Sequence, residues 1–311
     1  MINFKLFLFT TSFIKTFFSV INYLKEKRIM LNVIYRTYPG YNDQKSLIAF
    51  KEKKDLIQVG FSSLLESLEG LESFLYIVVD NPSDEYLDFL KNIISKFKVK
   101  STFIIREAPF GNQECFGTCL DIIKNIKNSY IFFCEDDYLI NKSIFKNFMN
   151  DYKLDSLYYI FPYKHPDYTR LNVHKIYGYI NNFNNKKKYK KCLSGCLTFF
   201  TNSKTISRDI KIFNLYALGL GDHNLWKIIS LPFISSYTIF KEIIYFKNYK
   251  IKAIKQYLLS LISFNKAKIF YTEKIYAIQL SNDCLPNKLE ILKFIENKDL
   301  FIKIINKEFN S

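Results

Sequence analysis

Apolar positions fall into two alternating patterns over the first 140 residues. Short continuous runs, LNVIYRT at 31–37, FLYIVVD at 74–80, STFIIRE at 101–107 and YIFFC at 130–134, have the length and the β-branched or aromatic content of buried strands. Between them, in 56–71, in 83–97 and from the turn at 109–111 to about Lys127, apolar residues return at helical intervals. Pro39 and Gly40 turn the chain after the first run. Asn81 and Pro82 break the second, and Ser83 is placed to cap the helix that follows. Four strands alternating with helices predict an α/β fold, a mostly parallel sheet flanked by helices on both faces. In such sheets ligands bind outside the carboxyl ends of the strands, where Thr37, Asp80 and the triplet Glu135, Asp136 and Asp137 all fall.

The triplet, in IFFCEDDYLI at 131–140, is the most informative stretch. Carboxylates are rarely buried unpaired, so three at the lip of a core strand call for a cation or a solvent-filled cleft. Hard oxygen donors of this kind suit Mg²⁺ or Mn²⁺, and Mg²⁺ typically takes one or two carboxylates together with phosphate oxygens. A nucleotide-diphosphate site follows as a candidate; the plainer reading is a solvated turn.

Composition changes this picture little. At 311 residues the chain is long enough for one domain with an appendage, and 49% hydrophobic with 24% charged residues is ordinary. The net charge of +16 would suggest nucleic acid, but only Arg28, Arg36, Arg106, Arg170 and Arg208 among the 45 basic residues are arginine. A chain that grips phosphate backbones uses more Arg for bidentate contacts, so a nucleic-acid partner is not expected. Attraction to an anionic membrane surface stays open. The six cysteines include Cys115/Cys119 and Cys192/Cys196 at equal offsets; small buried hydrophobes in a reducing cytosol account for them better than zinc. Residues 4–23 are apolar but interrupted by Lys5 and Lys15, followed by the basic cluster 25–28. An interfacial helix is favoured there over a marginal span or an extension ahead of Met30.

The ordered set of motifs resembles the GT-A-type glycosyltransferases, in particular the large inverting family that includes many bacterial polysaccharide and lipid-linked sugar transferases. RTYPGYN is similar to that family's opening strand and turn, YIVVDNPSDE to its second-strand signature, APFGNQECFGTCLDIIKN to the helix start before the acidic strand, and IFFCEDDYLI to the acidic motif. The resemblance covers residues 31–138 and extends more loosely to about Trp226. It implies a GT-A (Rossmann-like) fold and a metal-dependent transfer from a nucleotide-diphosphate sugar to a glycan or lipid-linked acceptor. It further implies that Asp137 binds the metal, with Glu135 at the ribose or the metal's water shell, and that Asp136 orients the turn or borders the donor. Asp80 would contact nucleobase or ribose, and Thr37 and Tyr38 would line the base pocket. The base of an inverting transfer is implied at Asp222 in LGLGDHNLWKII. The family usually shows Glu-Asp there, whereas this chain has Asp222 followed by His223, so either residue is a candidate, and a helix N-cap is the plainer reading of Asp222.

Later segments are less specific. CLSGCLTFFTN at 192–202 reads as a strand with Gly195 at a close approach; by the resemblance Ser194 and Gly195 face the sugar. The basic stretch 181–191 reads as a solvated loop, with a lid over the donor phosphates or a lipid contact as the functional options. His165 and His174 lack a metal-ligand spacing. Residues 240–270 read as helices with one basic and one apolar face. The expected division is an N-terminal segment 1–29, a glycosyltransferase domain 30–235 and a helical, membrane-associated extension 236–311, working at the cytoplasmic face of the membrane. A nucleotidyltransferase, or a membrane-peripheral protein that keeps the fold without catalysis, are the rival readings.

Overall fold

The computed structural model describes residues 29–40, 50, 52–166, 189–192, 195–219, 221–230, 268–281 and 294. The expected alternation is present as β1 (Leu31–Thr37), α1 (Lys53–Ser67), β2 (Ser73–Asp80), α2 (Asp84–Ser95), β3 (Ser101–Ala108), α3 (Asn112–Asn125) and β4 (Tyr130–Glu135). There follow β5 (Tyr138–Ile140), α4 (Ile144–Asp151), β6 (Tyr158–Phe161), β7 (Tyr189–Lys191), β8 (Phe199–Asn202), α5 (Ser203–Ala217), α6 (Asp222–Ser230), β9 (Lys268–Thr272) and β10 (Ala277–Gln279).

The main sheet runs in the order β3-β2-β1-β4-β8-β6-β9-β7, while β5 and β10 pair as a separate antiparallel ribbon. β1 lies between β2 and β4 and is parallel to both, and β2 is parallel to β3. The chain therefore moves outward from β1 to β3, then returns across to β4 on the other side of β1. That reversal makes the carboxyl ends of β1 and β4 a topological switch point, where open α/β sheets leave a crevice.

Both faces of this half are covered, which is why its strands read as unbroken apolar runs. Tyr35 of β1 stacks on Phe61 of α1 at 4.7 Å, and Phe133 of β4 packs against Phe116 of α3 at 5.4 Å on the opposite face. Ser83 caps α2 as expected, its Oγ accepting from the Tyr86 N–H at 3.2 Å. Cys115, Cys119, Cys134, Cys192 and Cys196 are buried free thiols.

Three expectations are corrected. The range 236–311 was expected to be a helical extension, but its described residues include β9, between β6 and β7 in the main sheet, and β10, paired with β5. The sheet thus continues past the expected boundary at 235. KIFYT is a short apolar run inside a stretch rich in Lys, Ile, Phe and Tyr, where strand and helix periods cannot be told apart by pattern. Tyr189–Lys191, the end of the supposed basic loop, is the edge strand β7. The strand expected over 192–202 is confined to Phe199–Asn202 among its described residues. The expected interfacial helix, most of the basic loop and the expected helices over 240–267 lie outside the described residues. Among the described residues no helix is long and apolar enough to cross a membrane.

Candidate functional site

Strand geometry sends the three acids of the triplet to three different places. Side chains alternate across a strand, so Glu135 and Asp136 leave β4 on opposite faces. Glu135 accepts from the guanidinium of Arg36, its register partner on β1. Arg36 also donates to Asn112 Oδ1 at 2.8 Å and lies over the Phe116 ring at 5.6 Å. Burial opposes the charge of this guanidinium, but the Glu135 carboxylate, with Tyr216 and the thiols of α3, moves its pKa upward on balance.

Asp136 faces the other way and is a structural hub. It accepts from Thr37 Oγ1 at 3.0 Å, from the Tyr38 N–H at 2.9 Å and from Lys53 Nζ at 2.7 Å. Thr37 is in turn hydrogen-bonded to the Tyr86 hydroxyl, so this carboxylate ties the end of β1 to α1 and α2. Two of the three acids, half-buried Glu135 and buried Asp136, thus find their counter-charge in a protein side chain. Asp137 follows the chain into the β5 turn, where its Oδ2 accepts from Gln279 Nε2 at 2.8 Å and its carbonyl accepts from the Leu280 N–H at 2.7 Å. Gln279 Oε1 also lies 3.2 Å from the Tyr138 hydroxyl and 3.4 Å from His165 Nε2.

Around this cluster sit the other expected residues. The Thr37 side chain is buried and turned toward Tyr86 and Asp136, whereas Tyr38 is half-buried with its ring 6.4 Å from that of Phe110. Asp80, buried at the end of β2, accepts from the Gly111 N–H at 2.9 Å. Asp222 is exposed in the first turn of α6. Burial pushes the Cys196 thiol up to about 12, and the carboxylates of Glu135 and Asp222 both add to the rise. The hydroxyl of Tyr216 is likewise raised, by burial first, with Glu135 and Asp222 again contributing. Trp226 of α6 donates from Nε1 to the Cys196 carbonyl at 3.1 Å, and the Glu135 N–H donates to Thr198 Oγ1 at 3.2 Å, so α6 and Glu135 are held by the same short segment. His223 is the next residue of α6; its side chain, Ser194 and His174 lie outside the described residues. Gly195 faces inward: a Cβ there would fall 2.0 Å from the Phe161 ring.

A hard divalent cation suits this donor set. Asp136 has both oxygens engaged by Lys53, Thr37 and Tyr38, so of the triplet Glu135, which also pairs with Arg36, and Asp137, which also accepts from Gln279, are the carboxylates that would hold Mg²⁺ or Mn²⁺. Among the described residues no three His, Cys, Asp or Glu side chains are grouped to hold a metal by themselves. Two carboxylates completed by donor phosphate oxygens is the pattern usual for Mg²⁺.

No protein-family model and no curated protein matches the sequence. Solved structures to which the chain is similar include the 1–349 fragment of TarS from S. aureus, at 13% identity and a TM-score of 0.42 over 91% of this chain and 72% of that one. GlyE, a glycosyltransferase of Streptococcus pneumoniae TIGR4, is similar at 11% identity and a TM-score of 0.41, over 91% of this chain and 64% of that one. The galactosyltransferase LgtC, solved with donor and acceptor sugar analogs, is similar at 10% identity and a TM-score of 0.40, over 77% and 86%.

Several residues of the site were not picked out from the sequence. Arg36 carried a signal, as the single charge in an otherwise apolar run that ends beside the switch point. Gly60 is buried in α1, where a Cβ would fall 2.8 Å from the Tyr138 carbonyl and 3.2 Å from that of Asp136, so its absence lets the helix lie against the acidic turn. Lys53 and Gln279 had no local signal, because their partner carboxylates lie 83 and 142 residues away.

Proposed function

We propose that this protein is a glycosyltransferase that moves a sugar from a nucleotide-diphosphate donor to a glycan or lipid-linked acceptor with inversion. The observation that carries the proposal is the convergence at the β1/β4 switch point. Tyr38, Glu135 and Asp137 all lie at or just past the carboxyl ends of β1 and β4, and α6, which carries Asp222, is tied through Trp226 to Cys196, two residues before the Thr198 hydroxyl that accepts from the Glu135 N–H. The ordered motifs of the sequence support the same reading.

In this mechanism the Tyr38 ring borders the nucleobase and Asp136 fixes the turn that presents it. Glu135 and Asp137 would hold the divalent cation, which when bound neutralises charge on the departing diphosphate. Arg36 orients Glu135 from β1 and adds a fixed positive charge to the crevice. Asp222 takes the proton of the acceptor hydroxyl as its oxygen bonds to the anomeric carbon and the carbon–oxygen bond to the diphosphate breaks. Apolar and basic segments at 4–28 and 240–267 favour an acceptor presented at the inner face of a membrane.

The test is sugar transfer and donor hydrolysis with a panel of nucleotide sugars and Mn²⁺, for the wild type and for Asp222→Asn. Turnover by the wild type, and a loss of about a hundredfold or more in kcat with donor affinity kept in the variant, are expected. No turnover of any donor defeats the proposal. Lost donor affinity with kcat preserved removes Asp222 as base.

A further inference from the structure

Gln279 is a buried amide at the end of β10, and its register partner is Tyr138, the first residue of β5. Backbone bonds close this ribbon on either side of it. The Asn141 N–H donates to the Tyr276 carbonyl at 2.8 Å, and the Leu280 N–H to that of Asp137 at 2.7 Å. Strand pairing therefore does not require a polar side chain at 279. Ala277 and Ile278, its neighbours on β10, are buried and apolar, and a buried amide is the costlier choice unless every polar atom is satisfied.

Both ends of the amide are engaged. The Tyr138 hydroxyl donates to Oε1 at 3.2 Å, and Nε2 donates to Asp137 Oδ2 at 2.8 Å. Turned over, the amide would set its carbonyl against a carboxylate, so Tyr138 fixes which end meets Asp137. Tyr138 is fully buried, and its ring meets that of Tyr163 edge-on at 6.3 Å. From the opposite strand edge the Ile140 N–H donates to Ser63 Oγ of α1 at 2.9 Å, so the acidic turn is braced between α1 and β10. The amide also differs in kind from the guanidinium at Glu135 and the ammonium at Asp136. A neutral N–H directs a carboxylate without cancelling the charge that a divalent cation needs.

We propose that Gln279 is a positioning residue, which fixes the rotation of the Asp137 carboxylate and so presents it to the divalent cation, with Tyr138 in turn fixing Gln279. This rests on the metal-dependent reading above and adds to it a task for β10, whose side chain reaches the acidic turn from 142 residues further along the chain. A ligand held by an outer hydrogen bond binds metal more tightly because less freedom is lost when the cation arrives.

Mn²⁺ affinity decides the matter, read from the electron paramagnetic resonance signal of free Mn²⁺. It is measured on the full-length protein, alone and with UDP, GDP, CDP or ADP, with Tm recorded alongside. Gln279→Met keeps the length of the side chain but has no N–H, and is expected to weaken Mn²⁺ binding about tenfold or more. Tyr138→Phe releases Oε1 and is expected to weaken it by less, about threefold. Ile278→Ala loosens the same ribbon without touching the amide; it is expected to lower Tm and keep Mn²⁺ affinity within about twofold. Affinity kept in Gln279→Met overturns the proposal. An equal loss in Ile278→Ala shows that the ribbon alone matters, and overturns it too. Unchanged or tighter binding in Tyr138→Phe makes Oε1 a ligand in its own right and removes the positioning role. Binding of Mn²⁺ by the wild type in none of these conditions overturns the metal reading itself, and the task of Gln279 with it.

Discussion

β3, β2, β1 and β4 are joined through helices to strands that follow one another along the chain, whereas β8, β6, β9 and β7 bring together residues as distant as Tyr158 and Lys268. The first group is parallel throughout. The second mixes a parallel β6/β9 pair with antiparallel β8/β6 and β9/β7 pairs. The first supplies the carboxyl ends that carry Tyr38 and the acidic triplet. The second forms the wall against which α5 and α6 pack, and so sets where Asp222 stands. In the proposed function the donor side of the crevice is built mainly from neighbouring elements, and the acceptor side depends on long-range pairing such as that of β6 with β9.

The sharpest way to break this contrast is at Trp226. It is fully buried, meets Tyr159, Phe161, Phe199 and Phe213 edge-on at 4.9–5.7 Å, and donates from Nε1 to the Cys196 carbonyl at 3.1 Å. Trp226→Ala is expected to cost about 3–5 kcal/mol, a large share of a domain's roughly 5–15 kcal/mol. Hydrogen exchange reads where the loss falls. Amides of β6, β8 and α6 are expected to lose protection while those of β1–β3 keep most of theirs. Equal loss in β1–β3 would mean that the two halves unfold as one unit and that the contrast is topological only.

The acidic triplet sharpens the comparison within the parallel half. Asp136→Ala leaves Lys53 Nζ half-buried without its carboxylate and removes the acceptor of Thr37 and Tyr38. About 3 kcal/mol of destabilisation is expected, seen in urea unfolding. Asp137→Ala removes the acceptor of Gln279 Nε2 but leaves no cation unpaired as Asp136→Ala does, and is expected to cost less, about 1 kcal/mol, while abolishing metal-dependent donor turnover. Neighbouring acids would then separate stability from catalysis. Equal destabilisation by both substitutions, with equal residual turnover, would contradict that assignment.

The same contrast explains how much was legible in the sequence. Ser83, Pro82, the four apolar runs and the acids at their ends act through residues within a few positions, so pattern alone located them. β9 and β10 did not announce themselves, because KIFYT and AIQ are too short for their period to be read and their partners lie far along the chain, as Lys191 and Tyr158 do for β9 and Ile140 for β10. For the site, the sequence located the triplet but not the divergence of its side chains. That divergence follows from strand alternation together with the positions of Arg36, Lys53 and Gln279. Asp80 shows the limit most clearly: its place at a strand end was readable, but its partner Gly111 is fixed by the turn that follows β3.

Ser83→Ala carries the smallest expected effect and tests the best-read local signal. Its hydroxyl satisfies one N–H at the start of α2, a helix with only Tyr86, Leu90 and Ile93 buried. About 1 kcal/mol is expected, or a few degrees in Tm, with Ser83→Asp recovering most of it because a carboxylate at an N-cap accepts the same bond. The change follows the turn after Asp80 directly, so nucleotide affinity measured alongside Tm separates two cases. A loss of stability alone means that the cap serves α2. A matching loss of affinity means that α2 and the turn that Asp80 holds are braced through the same end of β2, and that even the most local feature of the parallel half is coupled to the crevice.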